Sequence, residues 1–196
     1  MSLGEPRRDS IGPSGLHILI RRICPICDAR KLVEPTGPVD SPILVFGWAP
    51  GKKEIAKGIP WIGPAGMVLE SELLRHGIQR NSYRLTNLWL HQPAEIGTKR
   101  NLNPLYQKEL DWHFSELKNE FVGKRAILIM GAEPTSILGI PNISSVTGTS
   151  VKSQFIPSSV DVVMAMVNPA QALHDLLGEV RLALDNFALA LHERGI

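Results

Sequence analysis

Apolar residues recur along this chain in two rhythms. Ile43-Leu44-Val45-Phe46 is a short continuous apolar run stopped by Gly47 and Pro50, which predicts a strand buried on both faces. Tyr83–Leu90, Ala126–Met130 and Val160–Val167 predict three further strands. Between them the spacing turns helical. Val68, Leu69, Leu73 and Leu74 mark a helix from Ala65 to His76, closed by Gly77. Leu110, Phe114, Leu117 and Phe121 mark an amphipathic helix over Leu105–Phe121; a short helix follows Pro134, and a last one runs from about Ala170 to His192. Strands alternating with helices in this way predict an α/β fold: a three-layer α/β/α sandwich around a four-stranded, mainly parallel sheet. Such sheets bind ligands at the carboxyl ends of their strands, here the loops after Phe46, Leu90, Met130 and Val167.

Composition narrows this picture only a little. The 196 residues are 43% hydrophobic and 20% charged, which suits one domain with a full-sized core over residues 16–196. Residues 1–15 are rich in Gly, Pro and Ser and predict a flexible N-terminal segment. No apolar run approaches the ~20 residues a bilayer crossing needs. Met1-Ser2-Leu3 lacks the basic-then-apolar order of a secretion signal, so a cytoplasmic monomer away from membranes is the expectation. A net charge of +2 does not announce a nucleic-acid binder. Basic residues do cluster locally, at Arg21-Arg22, at Lys52, Lys53 and Lys57, and at Lys99-Arg100. Runs of this kind are usually solvated faces. The two cysteines form one C-x-x-C, Cys24-Pro25-Ile26-Cys27, which reads as a redox dithiol or as half of a metal site.

The loop after the first strand, Gly47-Trp48-Ala49-Pro50-Gly51-Lys52-Lys53-Glu54, has the glycines and lysine of a phosphate loop but not its spacing. Three residues rather than four separate the glycines, and Lys53 stands where a magnesium-binding Ser or Thr is needed. That detail argues against nucleotide hydrolysis.

The same loop and its continuation, Gly47-x-Ala49-Pro50-Gly51, Glu54, Gly58, Pro60-Trp61-Ile62-Gly63 and Ala65-Gly66, resemble the iron–sulfur (family four) uracil-DNA glycosylases. The match runs without a gap from Gly47 to Gly66. It continues through Tyr83-Arg84-Leu85-Thr86-Asn87, Asn103-Pro104, Ala126–Gly131 and Val167-Asn168-Pro169-Ala170, in the family's order, over roughly residues 20–190. The resemblance implies an enzyme that flips a base out of DNA and hydrolyses its N-glycosidic bond, leaving an abasic site. It implies a base pocket made by Gly47, Trp48, Ala49, Pro50, Gly51, Trp61 and Asn87, with Trp61 stacking on the base and Asn87 reading the pyrimidine edge. Lys52, Lys53 and Arg100 would contact DNA phosphates. Two positions depart from the pattern: Trp48 stands where the family has Glu, and Asn168 where it has His. Glu54 is then the expected catalytic carboxylate and Asn168 a donor to the departing base. An altered pocket favours a modified pyrimidine over uracil, in repair or in defence against modified phage DNA. A non-catalytic relative that binds DNA or a flipped base is the alternative.

The family's four cysteines hold an iron–sulfur cluster. Cys24 and Cys27 match the first pair, while His91 and His113 fall at the third and fourth positions. Two thiolates with two imidazoles suit a structural zinc ion that clamps the N-terminal segment to the loop after Leu90, away from the pocket. An iron–sulfur cluster with the same four ligands is the alternative.

Overall fold

The structure, a computed structural model, describes residues 24–26, 31–93 and 104–196. The expectations for residues 1–15, Cys27, Lys99, Arg100 and Asn103 fall outside them. Among the described residues twelve elements follow in order. They are β1 (Ile43–Gly47), α1 (Lys52–Lys57), α2 (Pro64–Leu74), β2 (Arg84–Asn87), α3 (Pro104–Glu120), β3 (Ala126–Met130), α4 (Ala132–Ile137), α5 (Ile143–Val146), β4 (Thr149–Ser150), β5 (Val162–Met166), a 3-10 helix (Pro169–Leu173) and α6 (Leu177–Glu193).

The sheet order is β2-β1-β3-β5-β4, with all neighbours parallel except β4, which runs antiparallel to β5 at the edge. Among the described residues five strands stand where four were expected. The extra one is only Thr149–Ser150, two exposed polar residues with no apolar alternation to reveal them. The central strands β1 and β3 are buried at every position, as a strand covered on both faces must be. Their side chains alternate between two cores. Val45, Leu128 and Met164 pack under Leu69 and Leu73 of α2 and Val180, Leu184 and Phe187 of α6. Leu44, Phe46, Ile127 and Ile129 face the other way, onto Tyr106 and Leu117 of α3 and Phe121 just beyond its end.

Two expected elements differ from their expected extent. The strand from Tyr83 stops at Asn87, and residues 88–91 bend away. The last helix is broken in two. Asn168 caps the short 3-10 turn through its side chain, and Asp175 then takes a left-handed φ of 70°, which ends that turn before α6 begins.

One ion-pair cluster fastens α2 to α6. Glu72 is nearly fully buried, and its carboxylate accepts from Arg75 at 2.5 Å and Arg181 at 3.0 Å. Burial pushes the carboxyl pKa up, but the hydrogen bonds and charges of Arg75 and Arg181 outweigh it and hold the group below its ordinary value. A carboxyl held low when folded contributes stability above its unfolded pKa and loses it as pH falls through the folded one. Glu72→Gln is therefore expected to lower the melting temperature at pH 7 by roughly 2–5 °C. The gap to the parent should close as the melts are repeated at successively lower pH below 4.5, the ordinary value for this carboxyl.

Candidate active site and metal centre

Parallel strands deliver their carboxyl ends to one rim of the sheet, and the loop after β1 lies there. Gly47 ends β1, and the indole of Trp61 crosses its bare α-carbon. A methyl group on Gly47 would lie 2.4 Å from the Trp61 ring and 3.4 Å from the Asn87 side-chain oxygen. Trp61 itself has a left-handed φ of 59°, and its Nε1–H donates to the Thr86 carbonyl at 2.9 Å. Gly66 in the first turn of α2 completes the arrangement, since a methyl group there would fall 1.7 Å from the Trp61 carbonyl oxygen. Gly47, Trp61 and Asn87 thus converge at the ends of β1 and β2. Trp61 is only 7% exposed, so its ring first of all fills the space beneath the strand ends.

Glu54 sits in the first turn of α1, buried, with Oε2 accepting from the Gly51 N–H at 2.5 Å. It closes the glycine loop on itself as a capping box does. Its other oxygen faces Gly63, where a methyl group would stand 3.9 Å away. Pro50 is buried, Ala49 half-buried, and Lys52 and Lys53 are exposed at the start of α1. Trp48 points to the opposite side from Gly47. Its ring meets Trp89 edge-on, with centroids 5.9 Å apart, and belongs to the core beneath α3. Asn168 follows β5 beside Gly131, and its Oδ1 accepts from the Ala170 N–H at 2.9 Å. An open cavity of about 590 Å³ lined by Thr36, Ile59, Leu74 and Arg80 touches none of these residues.

A second cluster lies below the loop after β2. Cys24, His91 and His113 are all buried, and one donor atom from each lies within 4.8 Å of the other two. The two Nε2 atoms are 3.0 Å apart. Nδ1 of His91 is 3.0 Å from the Gln92 carbonyl, which can only accept, so the proton sits on Nδ1 and the Nε2 lone pair faces inward. The Leu90 N–H lies 3.4 Å from Nδ1 of His113. Leu32, Leu90 and the half-buried Trp112 wall off the cysteine. Three separated stretches of chain therefore bring together residues that can hold a metal ion.

Sequence reasoning passed over Trp89, which is fully buried and contacts Trp48, Tyr106, His91 and His113 through its ring. Nothing in its local pattern distinguishes it from an ordinary strand residue. The close approach at Gly66 was signalled only by the glycine itself.

The glycine contacts make a contrast that stability can test. Helix propensity alone would make Gly66→Ala stabilising by about 1 kcal/mol. The clash with the Trp61 carbonyl should win, and both Gly66→Ala and Gly47→Ala are expected to lose about 2–3 kcal/mol in urea unfolding. Gly178→Ala, which meets nothing within 4 Å, should be neutral or slightly stabilising.

A model of the uracil DNA glycosylase superfamily matches residues 34–188. A protein of Pyrobaculum aerophilum named type-4 uracil-DNA glycosylase is 36% identical over 86 residues, 42% of this chain and 44% of the relative. Relatives of the same name from Thermotoga maritima and Archaeoglobus fulgidus are 29% identical over 114 residues and 33% identical over 84, covering 58% and 40% of this chain and 57% and 42% of theirs. The matched stretch thus spans about half the length of these curated relatives.

Proposed function

This chain belongs to the uracil DNA glycosylase superfamily, and we propose that it is a monofunctional DNA glycosylase acting on a flipped-out pyrimidine. The observation that carries this reading is the convergence of Gly47, Trp61 and Asn87 at the carboxyl ends of β1 and β2. A base inside a duplex must leave the stack before its glycosidic bond can be reached. Gly47 carries no side chain over the strand end, Trp61 forms the floor beneath it, and the Asn87 amide offers a donor and an acceptor to a pyrimidine edge. Lys52 and Lys53, exposed beside the loop, suit the flanking phosphates.

Bond cleavage leaves negative charge on the base and positive charge on the sugar. In this reading Glu54 steadies the sugar cation or orients water through the oxygen its cap to Gly51 leaves over. Asn168 donates to the base oxygen through its amide nitrogen, since its carbonyl oxygen already caps the turn. With Trp48 turned into the core rather than standing as a polar group in the pocket, uracil loses a stabilising contact worth about 3 kcal/mol, or roughly a hundredfold in rate. A pyrimidine carrying a further substituent is then the better substrate, in repair or in defence against modified phage DNA. The engagement of Glu54 and Asn168 in caps favours a second reading, a non-catalytic binder of DNA or of a flipped base.

For the metal centre we infer a structural zinc held by Cys24, His91 and His113, with Cys27 as the fourth ligand. Zinc bonds of about 2.0–2.1 Å to nitrogen and 2.3 Å to sulfur set donors roughly 3.3–3.8 Å apart on one tetrahedral ion. The 3.0 Å between ring nitrogens and the nearby thiol support a single ion. They favour a single ion over an iron–sulfur cluster, which spreads its protein ligands over separate irons. Bound there, the ion supplies folding free energy and no chemistry at the pocket. Purified protein is expected to be colourless with about one zinc per chain by elemental analysis. Brown protein with stoichiometric iron overturns the assignment.

The test of function is release of base, read as abasic-site cleavage, over a panel of single strands and duplexes carrying uracil or modified pyrimidines. Cleavage of a modified base well above uracil is expected. Asn87→Ala and Glu54→Gln should each lower the rate at least a hundredfold, while affinity for DNA, measured by anisotropy, survives and weakens with added salt. Rates on uracil equal to those on every modified base would sink the altered specificity. No cleavage anywhere in the panel, with binding retained, selects the non-catalytic reading.

A further inference from the structure

Pro60 and Trp61 form the turn between α1 and α2, and Trp61 stands in it at a left-handed φ of 59°. A turn that needs a positive φ ordinarily takes glycine or asparagine at that place. The angle is the torsion between two carbonyl carbons, that of Pro60 before it and that of Trp61 after it. A clamp on each of those carbonyls therefore locks it. On the Trp61 side the clamp is the close approach of Gly66, where a methyl group would fall 1.7 Å from the carbonyl oxygen. On the Pro60 side it is Arg80, whose Nη2 donates to the Pro60 carbonyl at 3.2 Å and to the Thr36 hydroxyl at 2.9 Å. Proline has no N–H, so this carbonyl is the one hydrogen-bonding group by which Pro60 can be held.

We propose that Arg80 is a positioning residue, which holds the Pro60 carbonyl and thereby keeps Trp61 in its left-handed conformation with the indole across Gly47. Its part in function rests on the reading of Trp61 as the floor of a base pocket; Arg80 acts on the base through that ring and does not touch it. The guanidinium is itself braced. Its carbon stands 5.7 Å from the centroid of the Tyr83 ring, over the face of a fully buried side chain. Thr36 is tied to β2 through both backbone groups, donating to the Leu85 carbonyl at 2.9 Å and accepting from the Leu85 N–H at 2.8 Å. A charged donor makes the stronger hydrogen bond, and the half-buried head of Arg80 keeps contact with water. A left-handed tryptophan keeps its shape only while its surroundings over-determine it. With the Pro60 side released, φ is free to return to negative values, and the turn samples more than one arrangement.

Selective 15N labelling of tryptophan tests this on the full chain without DNA, so the outcome is independent of whether any base is released. Each of the four tryptophans gives one backbone amide and one indole signal, and the amide of Trp61 belongs to the peptide that Arg80 holds. In Arg80→Met, which keeps a long stem and drops the donor, the Trp61 amide signal is expected to split or broaden. Solvent exchange of its indole N–H, bonded to the Thr86 carbonyl in the parent, should speed about tenfold. The signals of Trp48, Trp89 and Trp112 should stay in place. Thr36→Val, which removes one support of the guanidinium, should give the same local change in smaller size. Arg75→Met breaks the pair with Glu72 and not the turn, so it should lower the melting temperature with the Trp61 signals unmoved. The proposal is overturned if Arg80→Met leaves the Trp61 signals as in the parent, if all four tryptophans change together, or if Arg75→Met moves Trp61 equally. An Arg80→Met chain that does not fold leaves the decision to Thr36→Val, where unmoved Trp61 signals overturn the proposal.

Discussion

The indole of Trp61 is wedged between three backbone segments, and the rim of the sheet is arranged around it. Its ring covers the α-carbon of Gly47, its Nε1–H holds the Thr86 carbonyl, and its own carbonyl abuts Gly66. A tryptophan in the left-handed region at a φ of 59° is costly, and it persists only because the surrounding contacts leave it no alternative. Those contacts tie the loop between α1 and α2 to the ends of β1 and β2. They also explain why glycine stands at 47 and 66: at both positions a single methyl group would occupy space that the tryptophan already fills.

From that anchor the two faces of the sheet divide the labour. Strand alternation sends consecutive residues to opposite sides, so Gly47 faces the layer of α2 and α6 while Trp48 goes into the core below α3. The first layer holds Trp61 over Gly47 and the buried Glu72 cluster that joins α2 to α6. The second holds the aromatic cluster around Trp89 and the histidines. The family pattern has a carboxylate at position 48. The tryptophan at 48 packs on Trp89, in the layer that also holds His91 and His113.

Glu54 and Asn168 carry the same double character. Each has one oxygen engaged by a nearby backbone N–H, Gly51 for the first and Ala170 for the second. A capping side chain is held rigidly, as a catalytic group must be, but only the atom left over is available for chemistry. Rigid placement and reduced capacity follow from one and the same hydrogen bond.

The order of strands and helices was legible in the sequence because it follows from short-range periodicity. The continuous apolar runs at Ile43–Phe46 and Ala126–Met130 are short enough to read as strands covered on both faces, and the glycine-rich stretch from Gly47 to Gly66 carries the family pattern without a gap, with Trp48 departing from it. Apart from the metal-ligand group that the family resemblance implied, contacts between residues far apart in the chain were not legible from periodicity. The strand Thr149–Ser150 has no pattern and is defined only by its pairing with β5. The break at Asp175 depends on a backbone angle that no composition announces. The direction of Trp48 was decided by tertiary structure alone, whereas the meeting of Cys24 with His91 and His113 was expected from the family resemblance and the cap of Glu54 on Gly51 is local. Local sequence sets which residues repeat at which spacing; only packing of whole layers settles which side a residue at a strand end must face.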